Sequence, residues 1–204
     1  MKAIVKVLLV VSIFGTGLLS ANGIYEKVEN MKKGVDGYIL GSTLKKEQQN
    51  NSIPSDNDKV KKYLVNNDLL IAINVKNNKI LAINKRFNAV KQLEIKSMIG
   101  SLIHDYDEPT AMAHDKMIYW VYDKNGKKLT EDDLKNWKDS LKVAKTKLPL
   151  VEAIKVDTKQ VDFDPYISIK MTSDQPMMSK VEDEKLANVY LMVSSEKLIQ
   201  NTMK

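Results

Sequence analysis

Apolar residues in this 204-residue chain change their period several times, and each change marks an expected element. The run from Val7 to Leu19 has no period at all; it is apolar throughout except at Ser12, Gly15, Thr16 and Gly17. Ile24, Val28, Met31 and Val35 then recur at helical spacing until Gly34 and Gly37 interrupt it. Tyr38-Ile39-Leu40 is a short apolar run. After it Ser42 or Thr43 is placed to cap a brief helix reaching Gln48. Asn50–Asp58 is polar, contains Pro54, and reads as a loop.

The period then shortens to two. Val60–Val65, Leu69–Val75 and Lys79–Lys85 are of strand length, separated by Asn66-Asn67 and Asn77-Asn78. Asparagine tolerates the positive φ that tight hairpin turns require. Ile71, Ile73 and Val75 fall on one face, as do Leu81 and Ile83. A three-stranded antiparallel meander over 60–85 with one buried face is expected. Helical spacing returns in Ile95, Met98, Ile99, Leu102, Ile103 and Tyr106, predicting a helix over 89–106 that Pro109 stops. Met117–Tyr122 is aromatic and β-branched on both faces, the signature of a central strand, and Asn125-Gly126 turns the chain.

Thr130 and Asp133 form a variant capping box, flanked by Leu129 and Leu134 as a hydrophobic staple. The helix they start, 131–148, carries Leu134, Trp137, Leu141, Ala144 and Leu148 on one stripe and ends at Pro149. Its acids Glu131, Asp132 and Asp133 and its lysines Lys142, Lys145 and Lys147 complement the helix dipole, which accounts for the lysine run without a ligand. Val151–Val156, Tyr166–Met171 and Ala187–Val193 read as further strands, and Ser194 or Ser195 as the cap of a last short helix. The pattern predicts an α+β fold. An antiparallel sheet, the 60–85 meander plus strand 117–122, is packed by helices 89–106 and 131–148 and followed by a C-terminal strand-rich extension. The corresponding division is a leader over 1–21, a core over 24–148 and the extension over 149–204, packed on that core. In layout alone this resembles small periplasmic modules of the outer-membrane assembly lipoprotein and β-lactamase-inhibitor kinds; no motif carries a residue over from either.

Composition matters most at the start of the chain. Lys2 and Lys6, the apolar run, and the small residues at Leu19-Ser20-Ala21 are the three parts of a secretory signal peptide. Thirteen interrupted residues are short for a bilayer span, which takes about 20. Cleavage after Ala21 and a periplasmic or secreted product are therefore expected, with no membrane span remaining; an uncleaved membrane tether is the alternative. There are no cysteines, so neither disulfides nor a lipid-modified leader is available. Lys and Arg total 32 against 26 Asp and Glu, but only Arg86 is arginine. Base reading favours the bidentate guanidinium, so sequence-specific nucleic-acid binding is not expected.

Candidate chemistry is sparse. The two histidines are each followed by aspartate, and His104, Asp105, Asp107 and His114 are candidate metal ligands of the types that hold zinc or similar ions. They would support a metal-dependent hydrolase. Their spacing matches no strong signature, and a helix-end His104 with a turn at Asp107–Thr110 explains the same residues. A calcium loop starting at Asp123 fails at Lys127, Lys128 and Leu134. Ser42–Lys45, Ser194–Lys197 and Ser55–Asn57 echo fragments of serine penicillin-binding enzymes, but Lys-Thr-Gly is absent. Neither G-x-S-x-G nor a glycine-rich phosphate loop is present, so no cofactor is expected. Tyr119, Trp120 and Tyr122 are candidate binding residues, because Tyr and Trp dominate interface hot spots; in a central strand the same residues fill core. The sequence thus favours a non-enzymatic binding or accessory module whose partner is an envelope or extracellular protein.

Overall fold

A computed structural model describes residues 21–135, 165–178 and 186–204. The chain is α+β, with helices packed on an antiparallel sheet of eight strands and a separate two-stranded hairpin. Helix α1 (Ala21–Asn30) buries Tyr25 and Val28, one turn apart. It stops before Gly34, the expected interruption, because Lys32 takes a left-handed conformation (φ 52°). Met31 and Lys32 instead close the last turn onto the Val28 and Glu29 carbonyls. The small hairpin pairs β1 (Gly34–Val35) with β2 (Tyr38–Ile39) around Asp36 and Gly37, both at positive φ. The helix expected before Gln48 is a single 3-10 turn, Lys46–Gln48. Neither proposed cap serves it: the Ser42 hydroxyl donates to the Ile39 carbonyl, and Thr43 bridges to Lys79.

The large sheet contains β3 (Ser52–Ile53), β4 (Val60–Val65), β5 (Leu69–Asn74), β6 (Ile80–Val90), β7 (Ala111–Ala113), β8 (Met117–Tyr122), β9 (Ile167–Ser173) and β10 (Ala187–Ser194). Its spatial order is β3-β4-β5-β6-β10-β9-β8-β7. Asn66 and Asn67 both hold positive φ in the β4–β5 turn, as does Asn78 before β6. Strand β6 runs five residues past Lys85 because β10 pairs with it as far as Val90. The following helix, α2 (Gln92–Tyr106), therefore begins later than expected. The Glu94 carboxylate accepts the Lys91 N–H at its start.

The C-terminal strands correct the sequence reading. They are no extension outside the sheet; β10 and β9 fill its middle, between β6 and β8. The physical reason is that β8 and the first half of β6, both buried, present hydrogen-bonding edges that must be paired or covered. Alternation reports which face a residue occupies, not which strand lies beside it, so this placement is invisible to periodicity. The expected boundary at Pro149, strand 151–156 and most of helix 131–148 lie outside the described residues. The start of that helix is α3 (Glu131–Lys135), with Asp133 accepting the Thr130 N–H and hydroxyl and its own N–H bonding the Thr130 hydroxyl. Helix α4 (Glu196–Met203) is capped by Ser195, whose hydroxyl accepts the Leu198 N–H.

Register divides the sheet into two faces. On one, Tyr63, Ile71, Ile83, Val193, Ile169 and Trp120 form a cross-strand row of buried residues. Helix α2 packs Ile95, Ile99 and Leu102 into the same core. The other face carries a second row of Leu64, Leu70, Asn84, Met192, Lys170, Tyr119 and Ala111. At one margin of the core Asn74 donates to the Tyr25 hydroxyl and to Thr202 Oγ1, tying β5 to α1 and α4. Such a buried polar junction is tolerated because its groups satisfy each other.

Candidate binding surfaces

The residues proposed as metal ligands occupy two separate places. His104 is exposed near the C-terminal end of α2, beside exposed Asp105. Asp107 follows the helix in a left-handed conformation (φ 62°), and its carbonyl accepts the Trp120 indole N–H at 2.7 Å. His114 and Asp115 lie in the β7–β8 turn, both at positive φ, with Lys116 N–H closing onto the Ala113 carbonyl. The Asp115 carbonyl and carboxylate accept the N–H groups of Met177 and Met178 at 2.7 Å each. Met177 in turn accepts from Gln92, the first residue of α2. His114 thus belongs to the N-terminal end of α2 and His104 to its other end. A helical rise of 1.5 Å per residue puts about 18 Å between Gln92 and His104. Among the described residues no group of three or more His, Cys, Asp or Glu side chains could hold a metal ion.

Tyr119, Trp120 and Tyr122 are all buried. Trp120 and Tyr122 face α2: the Tyr122 hydroxyl donates to the Tyr106 carbonyl at 3.2 Å, and the Tyr106 ring lies 6.2 Å from that of Trp120. Tyr106 donates to the Gly34 carbonyl, and the Lys33 ammonium sits 5.0 Å and 4.5 Å from the centroids of Tyr106 and Tyr122. Tyr119 points to the other face and bonds the Met117 sulfur. The aromatic strand spends its polar atoms inside the protein.

Burial has a titration consequence here. It raises the pKa of Tyr106, Tyr119 and Tyr122 above the ordinary value, with Asp105 adding to the effect at Tyr106. A folded pKa above the unfolded one gives stability that is complete below about pH 10 and is lost as pH rises through the folded values. Alkaline titration followed by tyrosinate absorbance should therefore show these three of the eight tyrosines ionising only as the protein unfolds. Three that ionised reversibly in the folded protein near pH 10 would contradict their burial.

The exposed apolar residues have a different distribution. Leu93, Met112, Met178 and Leu186 are the large hydrophobic side chains that stand out among the described residues, at 75%, 48%, 52% and 52% exposure. They come from four segments, yet hydrogen bonds and register gather them at one end of the sheet. Gln92, next to Leu93, bonds Met177, next to Met178. Met178 is held by Asp115, three residues beyond Met112. Ala187, next to Leu186, pairs with Val90, three residues before Leu93. The signal was present in the sequence: Leu93 falls off the apolar stripe of α2, while Met178 and Leu186 lie in a largely polar stretch between two apolar runs. Off-period apolar residues are what a core-seeking reading passes over.

No family model matches the chain, and no curated protein or solved structure matches it either.

Proposed function

We propose that this protein is an exported binding module that acts through protein–protein contacts, with no catalysis of its own, and that its contact surface is the apolar end formed by Leu93, Met112, Met178 and Leu186. The observation that carries the reading is that these four exposed apolar residues sit on separate segments joined at one end of the sheet. Single exposed apolar residues are ordinary, whereas a gathered patch marks an interaction site. Two of the four are methionines, whose flexible thioethers adapt to irregular partner surfaces. The positive start, apolar run and small-residue exit of residues 1–21 support export to the periplasm or the medium, and the partner is then an envelope or extracellular protein. Among the described residues no helix is long and apolar enough to cross a membrane. Scarcity of arginine argues against sequence-specific nucleic-acid reading.

The test is a double substitution, Leu93→Asp with Met178→Asp. Both positions are exposed, so stability should move by no more than about 0.5 kcal/mol per site. Recovery of the partner with the protein purified from its native compartment should fall at least tenfold, since truncating a buried hot spot typically costs about 2 kcal/mol or more. Undiminished recovery with both charges in place would sink the proposal.

A further inference from the structure

The sheet face turned away from α2 carries two cations that form no ion pair among the described residues. Arg86 on β6 pairs with Tyr190 on β10, which pairs with Thr172 on β9; one row along, Asn84 pairs with Met192, and Met192 with Lys170. Adjacent strands lie about 4.8 Å apart, so Arg86 and Lys170 flank β10 from either side. The Arg86 guanidinium lies over the Tyr190 ring, 5.9 Å from its centroid, and therefore leans across β10 toward the strand that bears Lys170.

Beyond that ring contact the two cations stand apart from the ion pairs of the described residues. The ion pairs among the described residues take up Lys62 with Asp56, Lys79 with Glu29 and Lys85 with Asp36, leaving Arg86 and Lys170 with no carboxylate there. Arg86 Nε is buried with no hydrogen-bond partner, and so is Asn84 Oδ1 on a side chain only 1% exposed. Buried polar groups are almost always bonded, and buried charges are normally paired. Two orphaned groups two residues apart on one strand, facing a lysine whose pKa burial lowers, are the arrangement expected of a site that a ligand completes.

We propose that Arg86, Lys170 and Asn84 form a binding site for an oxyanion, the carboxylate or phosphate group of a ligand laid over β10. Arg86 supplies a directed N–H donor and Lys170 a point charge, the division of labour in which each binds oxyanions best. The Asn84 amide can present either its oxygen or its nitrogen, because the two are exchanged by a half-turn of the group; toward an anion it presents N–H. Tyr190 and Met192 form the floor between them. This site lies on the sheet face, apart from the apolar end, and stands or falls independently of it.

The full chain can be tested by thermal unfolding at pH 7 and constant ionic strength, with inorganic phosphate or acetate replacing chloride. A saturable rise of roughly 3–6 °C is expected at tenfold excess over the dissociation constant. Lys170→Met and Arg86→Met keep apolar stems over the sheet and should lose the rise, while Lys170→Arg, which keeps the charge, should retain it. A response to acetate alone names a carboxylate ligand, and one to phosphate alone a phosphate. No saturable rise with either anion, or an equal rise in the methionine variants, overturns the proposal.

Discussion

Replacing Trp120 by alanine should cost about 3–5 kcal/mol, the usual range for emptying a large aromatic site in a core. Its indole is fully buried at the end of the cross-strand row under α2. Its N–H holds the Asp107 carbonyl where the chain leaves that helix in a left-handed conformation, and its ring meets Tyr106. The substitution therefore opens a cavity and also removes one of the hydrogen bonds that tie the C-terminal end of α2 to β8, leaving that of Tyr122. Native domains keep only about 5–15 kcal/mol in all, so the unfolding midpoint should fall on the order of 10 °C. Trp120→Phe separates the two contributions. It keeps most of the packing and removes the indole donor, and should cost about 1–2 kcal/mol. Urea unfolding of the pair checks both figures; a Trp120→Ala loss below 1 kcal/mol would place the indole outside the core.

Gly41→Ala should be the second most damaging of these changes, at about 2–4 kcal/mol. Gly41 has φ +79°, and a Cβ there would lie 2.5 Å from the Tyr25 carbonyl oxygen and 2.9 Å from the Glu29 nitrogen, both backbone atoms of α1. Its own N–H bonds the Ile80 carbonyl, so the chain cannot withdraw without breaking its attachment to β6. A left-handed alanine costs roughly 1–2 kcal/mol, and forced overpacking adds typically 1–3. Gly37 supplies the control. It too has positive φ, at +81°, but a Cβ there meets nothing within 4 Å, so Gly37→Ala should show the conformational cost alone. Equal losses at the two positions would mean that α1 does not approach Gly41 so closely.

These two positions also show what the sequence could and could not reveal. Met117–Tyr122 stood out as a buried strand because both of its faces are large and apolar, and the strand has those bounds. Asn66-Asn67 fixed a turn because few residues other than asparagine accept successive positive φ. Thr130 and Asp133 declared a helix start through chemistry only four residues long. What stayed hidden depends on distance along the chain. Strand β7 is three residues of Ala-Met-Ala with no period to read, and the position of β9 and β10 between β6 and β8 is a choice of neighbour. Gly41 merely follows the apolar run Tyr38-Ile39-Leu40, with no hint that α1 would lie against it.

The candidate sites follow the same division. Rarity drew attention to the two histidines, but a helix separates them. Aromatic content drew attention to Tyr119, Trp120 and Tyr122, and burial consumed them. Leu93, Met112, Met178 and Leu186 are unremarkable one by one; only the contacts from Gln92 to Met177 and from Asp115 to Met178 bring them together. Asn84 and Arg86 carried a weaker sign, two polar residues on one face of a strand whose other residues are mostly apolar.

The proposed contact surface is tested most directly by placing a photo-crosslinking amino acid at Leu93, at Met178 and, as a control, at exposed Lys61 on β4, in cells that make the protein. The account predicts one and the same partner protein attached from positions 93 and 178, and none from position 61. Adducts from position 61 as strong as those from the apolar end, or no adduct from either apolar position, would contradict it.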